Sequence, residues 1–303
     1  MYRNYVFDFY GTLADIRTDE ENPQLWEKMS EIYAALGAPY RAEELKSAFR
    51  KMESEEVNRL KREHRKRRGY EKSGRSEASQ AETDTIKTDQ AEANAPEADR
   101  PEMCEAETGA PESDRPEIYQ AEEENAEPDL TKVFAMLYHE KNAPCDAAQA
   151  RMTAITFRAL SRRFLRLYDG VEELLGELRR RGRKIYLLSN AQSDFTRPEI
   201  EMLGLTHYFD GIVLSSEQGC KKPSPVFFRR LLERYGLKPS ESIMIGNDET
   251  ADIAGARSVG MNTLYIHTDI SPEEYGKVPA TYRVMDGDFR KAAQLLLDAD
   301  ARS

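Results

Sequence analysis

Five short apolar runs recur along the chain, at residues 5–7, 184–188, 211–214, 242–245 and 263–266. Unbroken runs of this length, too short for core helices, predict strands buried on both faces of a parallel sheet. Before, between and after the last four lie amphipathic stretches of helical period, at about 171–181, 195–203, 225–235, a segment ending at Val259, and 288–299. Repeated alternation of strand and helix predicts a parallel sheet with helices on both sides.

The stretch between the first run and residue 168 has a different rhythm. Asn22-Pro23 supplies an N-cap and a first-turn proline. Leu25, Met29, Ile32, Tyr33 and Leu36 follow at helical spacing, and Gly37 ends that helix. A second helix starts near Arg41, carries Leu45, Phe49 and Met52 on one face, and runs into a basic stretch over 59–68. That stretch reads as a solvated helix end. Leu130, Val133, Phe134, Leu137 and Tyr138 predict a third helix, with Asp129 near its start. A fourth is expected over 147–167, with Phe157, Leu160 and Phe164 on one side, followed by Tyr168. Arg158, Arg162 and Arg166 form an exposed stripe on another side.

Residues 69–128, inside this helical lobe, are rich in Ala, Glu, Asp, Pro, Ser and Thr. Their large aliphatic side chains reduce to Ile86, Met103 and Ile118. The motif at 95–107 returns in altered form at 110–122. Such a composition buries too little apolar surface to offset an ordering cost of about 1–2 kcal/mol per residue, so a disordered insertion is expected. The domains expected are an α/β core over 1–15 and 168–303, a helical cap over 16–68 and 129–167, and the insertion over 69–128.

Charge adds less than its total suggests. The formal net charge is -11, but residues 77–128 hold 17 Asp or Glu against three Lys or Arg. The rest of the chain is close to neutral, which gives no support for nucleic-acid binding. Cys104, Cys145 and Cys220 are odd in number and lack metal-site spacing, which fits a reducing compartment. No apolar stretch approaches the roughly 18 residues of a membrane span. A cytoplasmic protein with no membrane partner is the expectation.

The chemistry lies at the strand ends. Asp8 follows the first run, Ser189-Asn190 the second, and Asn247-Asp248 the fourth, with Asp252 four residues on and Lys222 before Pro223. In an open parallel sheet these ends converge on one crevice. A carboxylate there is a competent nucleophile. A serine hydroxyl can hold a phosphoryl oxygen, a lysine can balance the charge of a transferring phosphoryl group, and further carboxylates suit Mg2+.

These motifs resemble those of the haloacid dehalogenase-like hydrolase superfamily: Asp8-Phe-Tyr-Gly-Thr-Leu13, Leu187-Leu-Ser-Asn190, Lys221-Lys-Pro-Ser-Pro225, and the run from Ile245 to Ala256. The resemblance covers residues 1–15 and about 168–270. It implies a Rossmann-like α/β core in which the inserted helical lobe is a mobile cap that selects substrate. By the same resemblance Asp8 is the nucleophile, Ser189 and Asn190 contact the phosphoryl or leaving group, and Lys222 stabilises charge. Mg2+ would be held by Asp8, the main-chain carbonyl of Tyr10, Asn247, Asp248 and Asp252.

Two positions depart from the phosphatase pattern. Tyr10 stands where those enzymes carry a general acid, and Asn247 where the first acid of the fourth motif is usual. Loss of acid catalysis costs about 10²- to 10⁴-fold, and a phenol with a pKa near 10 is a poor replacement. The expected activity is Mg2+-dependent hydrolysis of a small phosphorylated metabolite. Tyr10 and Asn247 leave open a metal-independent hydrolysis of a carbon–halogen or similar bond through an aspartyl ester. A weakly active fold that serves as a binding platform is the third reading.

Overall fold

The computed structural model describes residues 2–86, 122–273, 276–277 and 279–301. Its centre is a six-stranded sheet in the order β5-β4-β1-β6-β7-β8, with every neighbouring pair parallel. These strands are β1 (Asn4–Phe7), β4 (Lys184–Ser189), β5 (Gly211–Leu214), β6 (Ser242–Gly246), β7 (Asn262–Ile266) and β8 (Tyr282–Val284). The first apolar run is therefore central: Tyr5 stands opposite Ile185 on one side and Ile243 on the other.

The alternation of a strand explains why that run is apolar throughout. Tyr5 and Phe7 belong to one core with Val171, Leu174, Leu178, Phe289 and Leu296. Val6 belongs to the opposite core with Phe227, Phe228 and Leu231. A third core fills the cap, where Trp26, Phe49, Phe134 and Phe157 stack at centroid separations of 5.2–5.7 Å. Trp26 is thus a packing residue, and its indole N–H donates to the Glu20 carbonyl at 2.8 Å.

The cap is built from α1 (Pro23–Ala35), α2 (Ala42–Ile86), α3 (Leu130–Glu140) and α4 (Ala147–Ser161). The caps read in the sequence are formed. Asn22 accepts from the Gln24 amide at 3.1 Å and Asp129 from the Thr131 amide at 3.0 Å. Gly37 takes a φ of +87° just beyond α1.

The fourth cap helix is shorter than expected. It ends at Ser161, and Arg162–Leu167 form β3, antiparallel to β2 (Ala14–Thr18). The stretch Arg-Arg-Phe-Leu-Arg-Leu supports either period. Leu165 and Leu167, two apart, pack on the sheet core, while Phe164 stays exposed under the Arg166 guanidinium. The ribbon lies where the chain passes between the sheet core and the helical lobe. The arginine stripe dissolves with the helix: Arg158 is buried, and Arg166 pairs with the buried Asp15.

The low-complexity tract is also entered later and left earlier than its composition suggests. Helix α2 continues to Ile86. From residue 122 the chain lies against the core: Ala126 bridges Cys220, the Glu127 amide donates to the Gly219 carbonyl at 3.1 Å, and the Lys221 amide donates to the Asn125 carbonyl at 2.9 Å. Arg65 of the basic stretch pairs with Glu123. The rest of the expected disordered insertion, 87–121, and Cys104 with it, lie outside the described residues.

Around the sheet run α5 (Val171–Arg180), α6 (Ser193–Met202), the single turn α7 (Ser215–Gln218), α8 (Pro225–Tyr235), a wide π-type turn at Glu249–Ala254 leading into α9 (Gly255–Ser258), and α10 (Phe289–Ala301). Among the described residues, no helix is long and apolar enough to cross a membrane.

Candidate active site

Asp8 follows β1 directly, and its amide donates to the Ile245 carbonyl at 2.9 Å, continuing the ladder one residue past the strand. The chain then turns at Gly11, where φ is +82°. A Cβ at this position would come within 2.3 Å of the Asn247 side-chain nitrogen, so both the turn and the close approach require glycine. Thr12 donates to Asn247 Oδ1 at 3.3 Å, and the Thr268 hydroxyl donates to the Gly11 carbonyl at 3.0 Å.

The four polar signatures meet here, although Lys222 arrives from the loop beyond α7 and not from the end of a strand. Asp8, Tyr10, Ser189, Asn190, Lys222, Asn247, Asp248 and Asp252 all line a single cavity of about 210 Å³, with Ala251, Ile270 and Pro272 completing its wall. Ser189 Oγ donates to Asp8 Oδ1 at 2.9 Å, and Lys222 Nζ donates to the same oxygen at 2.6 Å. Lys222, only 3% exposed, also donates to Asp252 Oδ1 at 2.7 Å and to the Leu188 carbonyl at 2.9 Å. The ammonium thus spends its three protons on three acceptors. Asn190 fixes the lysine main chain from both sides, accepting from its amide at 2.8 Å and donating to its carbonyl at 3.0 Å.

Burial alone would lower the pKa of Lys222, but Asp252 and Asp8 outweigh it and hold the lysine above its ordinary value. Burial pushes Asp252 upward, and the Lys222 charge opposes that shift. Asp252 has both oxygens engaged, since Oδ2 accepts the Asp248 amide at 3.0 Å. That contact needs Gly246, whose Cβ would fall 2.2 Å from Asp252 Oδ2. Asp248 Oδ1 caps the following turn through the amides of Thr250 and Ala251, both at 2.8 Å. Among the described residues, no three His, Cys, Asp or Glu side chains are grouped to hold a metal ion by themselves.

Tyr10 is placed differently from the others. Its hydroxyl donates to Glu199 at 2.5 Å and lies 2.9 Å from the Thr196 hydroxyl. Burial first, and then the Glu199 charge, push its pKa above the ordinary phenol value. As a proton donor at neutral pH it is weaker still than the sequence suggests.

A second cavity, about 680 Å³, adjoins the first and shares Tyr10 and Asn190 with it. It lies between cap and core, lined by Glu53, Val57 and Lys61 of α2, by Glu127 and Leu130, and by Gln192 and Phe195. Sequence reading missed Glu199, Thr196 and Thr268. Each is an isolated polar residue in a helix or loop, and only the tertiary fold brings it to the site. Cys220, beside the lysine loop, is buried, with its sulfur 3.1 Å from the Arg230 guanidinium.

A family model for haloacid dehalogenase-like hydrolases matches residues 2–260. Phosphoserine phosphatase of Thermus thermophilus is 36% identical over 126 residues, which is 42% of this chain and 50% of the relative. Glyceraldehyde 3-phosphate phosphatase of Methanothermobacter thermautotrophicus is 31% identical over 120 residues, 40% of this chain and 53% of the relative. The chain thus spans about half the length of these curated relatives. The crystal structure of a 2-haloacid dehalogenase from Pseudomonas syringae shares the fold, with a TM-score of 0.54 at 16% identity over 98% of this chain and all of the other. With the family model covering most of its length and the ends of β1, β4 and β6 converging with Lys222 on one cavity, the chain belongs to the haloacid dehalogenase-like hydrolases.

Proposed function

We propose that the protein is a Mg2+-dependent phosphohydrolase acting on a small phosphorylated metabolite, with Asp8 as nucleophile. The observation that carries this reading is the Asp8–Lys222–Asp252 chain at the bottom of a small polar cavity. Both hydrogen bonds to the Asp8 carboxylate fall on Oδ1, which leaves Oδ2 to approach phosphorus. Attack forms a P–O bond to Asp8 as the ester oxygen departs with the bonding pair, giving an acyl phosphate that water then hydrolyses. Lys222, Ser189 and Asn190 line the space that the phosphoryl oxygens would occupy, where the positive charge of Lys222 is already fixed in place. The names of the two relatives agree with this substrate class.

The donors around the cavity fit a hard cation. Among the lining residues, the Asp8 carboxylate, the Asn247 amide oxygen, the Asp248 carboxylate and the main-chain carbonyl of Tyr10 would be its oxygen ligands. Asp252 is assigned to the lysine in this reading, because both its oxygens are in use. Mg2+ held there would supply positive charge to the transferring phosphoryl group. With the Tyr10 hydroxyl turned to Glu199, no side chain of this loop protonates the leaving oxygen, so good leaving groups are favoured. The larger cavity is taken as the room for the remainder of the substrate.

The experiment is hydrolysis of p-nitrophenyl phosphate by wild type and Asp8→Asn, each with Mg2+ and with EDTA. Turnover that needs both Asp8 and Mg2+ is the expected result, and none in any condition removes the reading. Asn247, an amide beside the nucleophile, favours a second reading, metal-independent hydrolysis through an aspartyl ester. Asp8-dependent turnover of a 2-haloacid that persists in EDTA would decide for it.

A further inference from the structure

Glu199 sits in the middle of α6, yet it is only 1% exposed. Both carboxylate oxygens are fully used. Oε1 accepts from Arg158 Nε at 2.8 Å and from Arg162 Nη1 at 3.0 Å. Oε2 accepts from the Tyr10 hydroxyl at 2.5 Å and from Arg158 Nη2 at 3.3 Å. These donors come from separate parts of the protein. Tyr10 lies two residues beyond the nucleophile, Arg158 in the last turn of the cap helix α4, and Arg162 at the start of strand β3. The Arg158 guanidinium also covers the rings of Tyr10 and Phe195, 5.3 and 5.5 Å from their centroids.

A buried carboxylate is tolerated while its donors are in place and becomes costly when one leaves. Any displacement of α4 from the core withdraws Arg158 and leaves Glu199 under-compensated against the Tyr10 hydroxyl. The main chain of the nucleophile loop is tied at its two ends, by the Asp8 amide on Ile245 and by Thr12 on Asn247, whereas the Tyr10 hydroxyl is held by Glu199 and Thr196. The amides of Leu13 and Ala14 close on the Phe9 carbonyl, and Thr268 holds Gly11. Tyr10 is also the wall shared by the two cavities, so a change in its ring position alters both.

We propose that Glu199 is a positioning residue that couples the seating of the cap to the loop carrying Asp8, by holding the Tyr10 hydroxyl and the Arg158 guanidinium on one carboxylate. The inference rests on Asp8 being the nucleophile. In the seated cap, the network fixes Tyr10 and with it the main chain between Asp8 and Gly11. When the cap lifts, that restraint goes, and the nucleophile is held less well until the cap returns.

The test uses the full chain with Tyr10→Phe, Arg158→Lys and their combination. Tyr10→Phe keeps the ring and removes only the hydroxyl while Glu199 keeps its arginine donors, so the variant should still fold cooperatively with a modestly lowered melting temperature. Its kcat on p-nitrophenyl phosphate should fall about tenfold with KM little changed, as misplacement of a reacting group predicts. The double variant should be no slower than the slower single one, because both break the same link. In Arg158→Lys, hydrogen exchange at the amides of residues 11–14 should accelerate, although the substitution lies in the cap. Wild-type kcat in Tyr10→Phe, additive losses in the double variant, or unchanged exchange at 11–14 would each overturn the coupling. Absence of turnover in wild type would instead count against the reaction assigned to Asp8, and the exchange measurement would still decide the coupling.

Discussion

Asn247 lies against the turn at Gly11 and accepts from Thr12, so its side chain is held beside the nucleophile while bringing no charge. Ligand charge count is a main determinant of affinity for hard cations. Asn247→Asp is therefore expected to lower the Mg2+ concentration that half-saturates activity, by about tenfold. An unchanged Mg2+ titration would remove position 247 from the coordinating set. At this scale much of the site was legible in the sequence. Asp8, Ser189, Asn190, Asn247 and Asp248 each stand at or just after a strand end, and the parallel sheet carries strand ends to one place, while Lys222 and Asp252 reach it from the loop beyond α7 and from the π-type turn after β6. Glu199 could not be read this way. A lone glutamate on an amphipathic helix has the pattern of a solvent-facing residue, and its partner Arg158 looked like part of an exposed stripe.

At the scale of elements, Asp210 shows how a strand register is secured. It accepts from the Ile185 amide at 2.9 Å, from Lys184 Nζ at 2.8 Å and from Arg179 Nη1 at 2.9 Å, tying the entry of β5 to the start of β4. Burial acts to raise its pKa, but Lys184 and the Ile185 amide pull harder and hold it below the ordinary carboxylate value. A depressed folded-state pKa gives stability that is present above the unfolded value, near 3.9, and is lost as pH falls through the folded value. Asp210→Asn should thus lower stability by about 1–2 kcal/mol at neutral pH. In denaturant titrations the gap to wild type should close below about pH 4. A gap that is constant with pH would show that the carboxylate charge is not the source. The ribbon β2–β3 was not legible at this scale. Residues 14–18 are mostly polar and carry no strand signal of their own, and their partners lie some 150 positions away. Edge strand β8, only three residues long, escaped for the same lack of pattern.

For the whole molecule, the low-complexity tract divides into parts of different consequence. Residues 122–128 are hydrogen-bonded to the loop that leads to Lys222, and Lys221 also pairs with Glu127 at 2.8 Å. Composition alone assigned them to the insertion, because four glutamates within six residues resemble the acidic run before them. Two deletions separate these roles. Replacing 70–119 by a short flexible linker should keep the cooperative melt and the activity, since Arg65 and Glu123 already lie side by side. Extending the deletion through 127 should lower the melting temperature and slow turnover. Equal behaviour of the two would show that the 122–128 contacts carry no weight.

The central place of β1 has a consequence in time. Asn4–Phe7 is made well before its partners on either side, residues 184–187 and 242–245. At about 5–20 residues per second, the strand waits on the order of ten seconds or more for both neighbours. Its apolar residues must remain unpaired through that interval, which leaves this strand in need of protection during synthesis. It also makes the hydrolytic centre a late product of folding, since Asp8 has no lysine, serine or second carboxylate to meet until almost the whole core has been translated.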